Sequence, residues 1–240
     1  MAIPTLIDRL AEEGYIVLPD LIPTSTLQRL RVEADAVLTC LLDQMEVART
    51  TDPRVTWWRL ATGRMYVLKV KPVLDLAPMA AGVAACDVLR GLMAELLGGR
   101  PQLMEDKFMY KQEVDVLARW ATLPVLGEEV CKHTDAAYFA ARGFSRVLTV
   151  AVCLDDCTEA TGALRVWPGT HRQAIEHIPT ANQGPVVPDD VAPDRAAVLL
   201  EAFAGAVMIW DSALVHASGP NTTSRPRRLL VLGYTCSTER

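Results

Sequence analysis

The period of the hydrophobic residues changes near residue 100, and this change constrains the fold more than any other feature of the sequence. Before it, apolar residues recur at helical spacing, as in PTSTLQRLRVEADAVL, which opens on Ser and Thr caps. After it, short runs rich in β-branched and aromatic residues alternate with turn residues. Such a pattern predicts a mainly β protein, an antiparallel sandwich or barrel with flanking α-helices. The runs are QLMEDKFMYKQEV, SRVLTVAVCLDDC, GALRVWP, AVLLEAF, GAVMIWDSALVHAS and RRLLVLGYTCS.

The chain of 240 residues is predicted to form one domain, because barrels and sandwiches of this size commonly do. Residues 1–100 are expected to be mostly a helical flank, and residues 101–240 to supply most of the β core. Half of the residues are hydrophobic and 22% are charged, a balance that supports a folded globular protein.

Charge and hydropathy exclude several classes of partner. The net charge is −5 and no run of Lys and Arg could follow phosphates, so nucleic-acid binding is not expected. No stretch approaches the roughly 20 apolar residues of a membrane-spanning helix, and the N-terminal stretch lacks a basic region followed by an apolar signal core. We therefore expect a cytoplasmic protein without membrane partners, and the sequence leaves the oligomeric state open.

Two histidines and one carboxylate form the first candidate site. His133 and Asp135 occur in CKHTDAAYF, and His216 ends the strand-like run GAVMIWDSALVH. This is the ligand set of a mononuclear non-haem iron centre, which leaves metal positions open. The same composition also suits a catalytic zinc. A turn pair with a local hydrogen bond is the structural alternative for His133 and Asp135, and a core histidine is the alternative for His216.

A basic cluster after His216 favours the iron interpretation. Arg225, Arg227 and Arg228 open the next β run, so a guanidinium can lie beside the metal. Its planar fork suits bidentate capture of a carboxylate. An oxygenase that uses a dicarboxylic keto acid needs this anchor, whereas a zinc hydrolase does not.

Three other residues compete as ligands. His171 lies in the predicted turn WPGTHR and is expected to cap or pack, and His177 lies nearby. Cys131 would face the same way as His133 in an extended segment, which leaves a Cys-His-Asp zinc site as a minor alternative. The six cysteines show no CxxC pair, so we expect reduced thiols without assigned chemistry.

Four segments in order resemble the phytanoyl-CoA dioxygenase-like family of iron(II)/2-oxoglutarate oxygenases, over nearly the whole chain. The family's distal motif, His-x-Ser-Gly-x-Asn followed by Arg, is similar to HASGPNTTSRPRRLLVLGY. The other three segments are LAEEGYIVLPDLIPTSTLQRLR, EDKFMYK and LTVAVCLDDCTEATGALRVWPGTHR.

The resemblance implies a double-stranded β-helix, a jelly-roll core, with iron(II), 2-oxoglutarate and dioxygen as the reaction partners. It implies that the substrate is hydroxylated or oxidatively cyclised, with release of succinate and carbon dioxide. Related halogenases lack the carboxylate, so the presence of Asp135 disfavours halogenation. By this resemblance His133, Asp135 and His216 hold iron, Arg227 and Ser218 bind the remote carboxylate of 2-oxoglutarate, and Thr149 and Lys107 face the co-substrate.

The substrate is expected to be a small molecule of secondary metabolism, a sugar-containing compound before an amino acid or a terpenoid acid. The Pro-rich segment 178–196 suits a lid. The alternative function is a cupin-like metal or ligand binder without oxygenase activity, or a zinc enzyme. Candidate pocket residues are Trp57, Trp58, Arg59 and Arg64, taken as an irregular loop, with Tyr138 and Phe139 beyond the metal motif.

Overall fold

The computed structural model describes residues 3–59, 63–113, 130–180 and 184–236. Its strands form two antiparallel sheets, with elements numbered in chain order. The large sheet has the order β1 (Tyr15–Leu18), β9 (Val207–Asp211), β6 (Val147–Cys153), β11 (Arg227–Cys236), β4 (Pro101–Lys111), β3 (Met65–Val70) and β2 (Val55–Arg59). The small sheet has the order β5 (Val130–His133), β10 (His216–Ser218), β7 (Leu164–Val166) and β8 (Val198–Leu200).

Four helices cover one face of the large sheet, and their apolar residues join its core. None of the helices in the described ranges is long and apolar enough to cross a bilayer. The helices are α1 (Ile3–Glu13), α2 (Thr24–Ala48), α3 (Pro78–Ala85) and α4 (Asp87–Leu97), and a short α5 (Ala136–Ala140) follows β5.

Strand β6 shows how the large sheet separates two cores. Every residue of β6 is buried, as expected for a central strand covered on both faces. Val150 and Val152 pack with the helices, whereas Ala151 and Cys153 pack toward the small sheet. This alternation places the side chains of Thr149 and its same-face neighbours between the two sheets.

The chain passes repeatedly from one sheet to the other. It runs from β5 in the small sheet to β6, returns for β7 and β8, enters the large sheet at β9, returns at β10 and ends on β11. This winding is the double-stranded β-helix that the sequence predicts.

Three expectations change in detail. Residues 1–100 are mostly helical, but β2 and β3 join the large sheet in addition to the short strand β1. The run GAVMIWDSALVHAS is not one strand, because a turn after Asp211, with the Leu214 amide bonded to the Asp211 carbonyl at 2.9 Å, moves the chain from β9 to β10. Strand β5 was not predicted, because the four residues VCKH are too few to show the two-residue period of a strand.

Candidate active site

Two histidines and one aspartate converge beside the small sheet. His133 ends β5 and His216 begins β10, and the pairing of these strands places the two residues directly opposite each other. Their ring centroids lie 4.2 Å apart. Asp135 follows at the start of α5. One potential ligand atom from each residue lies within 4.8 Å of the others.

The orientation of both imidazoles fits a metal ion. His133 donates from Nδ1 to the Cys131 carbonyl at 2.8 Å, and His216 donates from Nδ1 to the Leu214 carbonyl at 3.0 Å. Both Nε2 atoms then face Asp135, at 3.8 Å from Oδ1 and 3.9 Å from Oδ2. These separations exceed hydrogen-bond range, whereas metal bonds of roughly 2.1 Å let one ion contact atoms roughly 4 Å apart. Iron bound here supplies open positions at which a keto acid and dioxygen react.

Two side chains of the large sheet orient Asp135. Thr149 donates its hydroxyl to Oδ2 at 2.9 Å, and Trp210 donates Nε1 to the same oxygen at 3.2 Å. Thr149 and Trp210 are paired residues of β6 and β9. Thr149, expected at the co-substrate, is therefore directed to the carboxylate ligand. The sequence does not single out Trp210, because its role depends on the register between distant strands.

Local charges keep the triad in a metal-binding state. Burial alone would raise the pKa of Asp135, but His216, Lys107 and His133 outweigh it and hold the pKa at about 2. Burial and the neighbouring His216 lower the pKa of His133 to about 4. The carboxylate is therefore ionised and the His133 imidazole neutral near pH 7, as metal binding requires.

Arg227 and Ser218 come together at the other end of the site. Ser218 follows His216 by two residues on β10, roughly 7 Å along the strand. Arg227 is 4% exposed and donates from Nη2 to the Ser218 hydroxyl at 3.2 Å and to the Gly162 carbonyl at 2.9 Å. Its buried Nε donates to no group in the described part of the chain. A buried guanidinium with an unused donor fits the remote carboxylate of 2-oxoglutarate.

Lys111 is a second buried cation at this anchor, and the sequence analysis does not identify it. It lies opposite Arg227 in the pairing of β4 with β11. Its ammonium donates to the Ser218 carbonyl at 3.1 Å, and also to the Ser218 hydroxyl and the Gly219 carbonyl. Because Lys107 is already expected to face the site, the two-residue period of β4 could have revealed Lys111.

The two neighbouring arginines take other positions. Arg228 pairs with Asp155, at 2.8 Å from Nε to Oδ2, and with Asp35, at 2.6 Å from Nη1 to Oδ1. Arg225 is exposed. Neither arginine is among the described residues that line the cavity below.

The competing ligands are separate from the triad. His171 donates from Nε2 to the Ala11 carbonyl at 3.1 Å, and His177 shares a hydrogen bond with the Thr134 hydroxyl at 2.9 Å. Cys131 lines the cavity but is not part of the ligand group found among the described residues. The geometry therefore favours the histidine and aspartate set over a zinc site that uses this cysteine.

The triad and Arg227 open into one cavity of about 550 Å³. This volume is typical of pockets for small ligands. Tyr138 is 41% exposed at the cavity, with its ring 6.2 Å from the His133 ring, and Phe139 is buried. The lining includes His133, Asp135, His216, Arg227, Ser218, Thr149, Lys107, Tyr138 and Phe139.

The aromatic and basic residues of segment 57–64 lie outside this described lining. The prediction of an irregular loop in this segment is wrong, because β2 and β3 pair there. Adjacent strand residues point to opposite faces, so Trp58 stacks on Tyr66 at 4.8 Å while Trp57 packs against the helix-side core. Arg59 and Arg64 are exposed. The tryptophans build the edge of the sheet.

A second group of charged residues lines the same cavity, and we call it the lysine side, defined as Lys69, Lys71, Glu105, Lys107 and Arg142. Glu105 is buried and accepts hydrogen bonds from Lys107 at 2.7 Å, from Arg142 at 2.8 Å and from Lys71. Burial alone would raise the pKa of Glu105, but Lys107 and Lys71 hold it at about 2. Lys107, expected at the co-substrate, is thus engaged by a carboxylate.

Part of segment 178–196 reaches the cavity, while residues 181–183 lie outside the described chain. Gly184 lines the cavity, and a Cβ there would lie 2.4 Å from the Tyr138 hydroxyl. Lys132 on β5 pairs with two aspartates of the segment, Asp189 at 2.5 Å and Asp194 at 2.6 Å. The expected lid role stays a prediction.

The sequence matches a known protein family and several curated proteins. The family model described as Phytanoyl-CoA dioxygenase (PhyH) matches residues 10–229. L-proline trans-4-hydroxylase of Streptomyces griseoviridis is 24% identical, over 94% of this chain and 84% of the hydroxylase.

Many solved structures share the fold, among them two enzymes with bound 2-oxoglutarate. EctD from S. alaskensis, with 2-oxoglutarate and 5-hydroxyectoine, has a TM-score of 0.78 and 22% identity, over all of this chain and 78% of EctD. The epimerase SnoN, in complex with Fe3+, alpha ketoglutarate and nogalamycin RO, has a TM-score of 0.72 and 18% identity, over 98% of this chain and 84% of SnoN. The likeness confirms the double-stranded β-helix.

Proposed function

Because the chain belongs to the phytanoyl-CoA dioxygenase family, we propose that it hydroxylates, or oxidatively cyclises, a small organic substrate. It is an oxidoreductase that uses iron(II), 2-oxoglutarate and dioxygen. In the proposed hydroxylation one oxygen atom of dioxygen enters a C–H bond of the substrate, the other enters succinate, and carbon dioxide leaves. The observation that carries this proposal is one cavity that is lined by both the metal triad and the buried guanidinium of Arg227.

Each residue takes a role that its contacts support. The triad holds iron through two imidazoles and one carboxylate. The large sheet orients that carboxylate through two donors, and the arginine end binds the remote carboxylate of the co-substrate. The iron ligands are His133, Asp135 and His216, the orienting donors are Thr149 and Trp210, and the co-substrate anchor is Arg227 with Ser218 and Lys111.

The proposed substrate is a small molecule of secondary metabolism. The cavity volume supports a small substrate, and SnoN is from nogalamycin biosynthesis. Tyr138 and Phe139 remain the proposed aromatic contacts. A sugar-containing compound remains one of the proposed substrates, although Trp57, Trp58 and Arg59 are absent from the described lining. Nothing in the described site favours the alternative of a binder without oxygenase activity or of a zinc enzyme.

Substrate-dependent formation of succinate tests the proposal. The full chain would receive iron(II), 2-oxoglutarate, dioxygen and a library of small molecules, with succinate measured by chromatography and products by mass spectrometry. We expect succinate together with a product that gains one oxygen atom or loses two hydrogen atoms. The result that contradicts the proposal is wild-type protein that consumes no 2-oxoglutarate, with or without any library member.

Two histidine variants make this test specific. His216→Ala is expected to abolish succinate formation, because it removes an iron ligand. His171→Gln serves as the matched control, since this histidine bonds to the Ala11 carbonyl and lies outside the described cavity lining. Equal loss in both variants would show that the effect comes from folding.

A further inference from the structure

Two buried cysteines face each other in the core between the two sheets. Cys153 is the last residue of β6, and Cys157 follows in the turn after it. Their thiols are hydrogen-bonded, with the Sγ atoms 3.7 Å apart, and the two residues are 0% and 1% exposed. A disulfide bond holds two sulfurs at roughly 2 Å. A relative shift of less than roughly 2 Å would therefore bring these sulfurs to bonding distance.

The chain before β9 holds the backbones of both cysteines. The Cys153 amide donates to the Ala206 carbonyl at 2.9 Å, and the Cys153 carbonyl accepts from the Gly205 amide at 2.8 Å. Cys157 and Ala202 exchange two backbone hydrogen bonds, of 2.8 and 2.9 Å, in an isolated bridge. The fold therefore keeps the sulfurs in contact. Local opening of the single Cys157 bridge admits a water-sized molecule to the pair without unfolding the sheets.

The surroundings favour the reactive form of one of the two thiols. The thiolate is the nucleophilic form of a cysteine. The hydrogen bond with Cys153 lowers the pKa of Cys157, and the positive charge of Arg227 acts in the same direction against the effect of burial. Cys157 is therefore the attacking thiol of the pair, and Cys153 is the thiol that completes the bond.

The turn that contains Cys157 reaches the co-substrate anchor. The carbonyl of Gly162, at the end of this turn, accepts hydrogen bonds from Arg227 Nη2 at 2.9 Å and from the Ser218 hydroxyl at 3.2 Å. This carbonyl therefore orients the two side chains to which the proposed function gives the remote carboxylate of 2-oxoglutarate.

The turn has little freedom to absorb a displacement of Cys157. A backbone hydrogen bond from the Ala163 amide to the Thr158 carbonyl, at 2.9 Å, closes it. Gly162 is packed so closely that an added Cβ would lie 2.4 Å from the Gly219 carbonyl oxygen. A movement of Cys157 is therefore transmitted to the Gly162 carbonyl.

We propose that Cys153 and Cys157 form a redox modification site, which hydrogen peroxide converts to a disulfide, and that this disulfide weakens the binding of 2-oxoglutarate at Arg227. Formation of the disulfide is independent of the proposed function, whereas the effect on 2-oxoglutarate rests on it. The pair is a device by which an oxidant lowers the occupancy of the co-substrate, and a thiol reductant reverses it.

The oxidation has two steps, and together they reduce one peroxide to two waters. The Cys157 thiolate attacks a peroxide oxygen and the O–O bond breaks, which leaves a sulfenic acid on Cys157 and a hydroxide. The hydroxide takes up the proton that Cys157 released. The Cys153 sulfur then attacks the sulfenic sulfur, so that the S–S bond forms, the S–O bond breaks and the second water leaves with the Cys153 proton. The two thiols lose two electrons and two protons.

Mass spectrometry of the oxidised protein tests the modification site. The metal-free full chain would be treated with hydrogen peroxide and then with catalase, and its remaining thiols would be alkylated after unfolding. We expect the peptide that holds both cysteines to lose two hydrogen atoms and to escape alkylation until a reductant is added. The exposed Cys40 is the internal reference for oxidant strength. Peroxide that oxidises Cys40 but leaves both buried thiols open to alkylation would overturn the inference.

A co-substrate titration measures the consequence at the anchor. Reduced and oxidised protein would each be loaded anaerobically with iron(II) and titrated with 2-oxoglutarate, with the visible charge-transfer band as the readout. The oxidised wild type should need at least about tenfold more 2-oxoglutarate, the size of a lost hydrogen bond to a charged group. Identical curves, in protein whose disulfide is established by mass, would overturn the effect on Arg227.

Cysteine variants assign the effect to this pair. Cys157→Ala and Cys153→Ala should each give the same titration curve before and after peroxide, because neither can form the disulfide. Cys40→Ala is the matched control and should respond as the wild type does, since this exposed thiol lies on α2. A peroxide effect that persists in Cys157→Ala would contradict the role of the disulfide. A reduced wild type without the band counts against the oxygenase function alone, because the mass measurement does not depend on that band.

Discussion

The two sides of the cavity differ in how their polar groups are paired. On the triad side, Asp135 is held by Thr149 and Trp210, and both imidazoles are held by backbone carbonyls. On the lysine side, Glu105 gathers three cations and Lys69 keeps an unpaired ammonium. Groups that serve the same iron and keto acid in every cycle benefit from preset contacts. An unpaired ammonium is instead neutralised only when an anion enters the cavity.

The largest effect is expected from a substitution that removes an iron ligand and leaves the lysine side unchanged. His216→Ala should lower iron-dependent turnover of 2-oxoglutarate by more than about 100-fold, since even loss of a group that only orients a metal ligand costs 10–100-fold. Lys71→Met, on the lysine side, should lower the same rate by less than about fivefold. Rates of succinate formation at saturating iron check both values. Equal losses of rate in the two variants would contradict the assignment of iron binding to the triad side alone.

The second prediction concerns the donors that hold Asp135. Trp210→Phe keeps the ring but removes the Nε1 donor, and iron(II) affinity should fall by about 10–100-fold. Trp167→Phe is the matched control, because its indole donates to the Pro193 carbonyl at 2.9 Å. Competition with a chromophoric chelator measures both affinities. Unchanged iron affinity in Trp210→Phe would show that this contact does not tune the ligand.

The third prediction concerns the carboxylate of the lysine side. Glu105→Gln leaves Lys71, Lys107 and Arg142 without their anion, and should lower the free energy of unfolding by about 2 kcal/mol. This is below the 3–5 kcal/mol of a fully buried pair, because the Lys71 and Arg142 side chains are 37% and 43% exposed. Urea denaturation at pH 7 checks the value, and a loss below about 0.5 kcal/mol would contradict it.

The lowered pKa of Glu105 also predicts how the free energy of unfolding changes with pH. The pKa of Glu105 is lowered from 4.5 to about 2 in the folded protein. Its stabilisation is therefore complete above pH 4.5 and is lost as the pH falls toward 2. Urea denaturation across this window should show a steeper loss of stability in the wild type than in Glu105→Gln. Parallel curves would contradict the depressed pKa.

The sequence predicts the triad side because its residues lie in short motifs that resemble those of the family. His133 and Asp135 lie two apart, as do His216 and Ser218, and a short turn leads to Arg227. The two-residue period of the β runs likewise predicts the sheets. Local signals of this kind can be recognised without knowledge of the fold.

The lysine side could not be predicted because it depends on pairing between distant segments. Lys69 and Glu105 line the same cavity only because β3 pairs with β4, and Trp210 bonds to Asp135 from a distant strand. The prediction that Trp57 and Trp58 line the pocket fails for the opposite reason, because it relied on a local feature alone. Adjacent aromatics attract attention in a sequence, yet strand geometry sends them to opposite faces, where they pack.

An anaerobic titration of the iron(II)-loaded protein with 2-oxoglutarate tests most directly whether one cavity joins the iron triad to a co-substrate arginine. The wild type should develop the weak visible charge-transfer band, and Asp135→Ala should not. Arg227→Met should need at least about tenfold more 2-oxoglutarate, whereas Arg225→Met, which changes an exposed neighbour, should match the wild type. A wild type without the band, or an Arg227→Met curve identical to that of the wild type, would contradict the assignment.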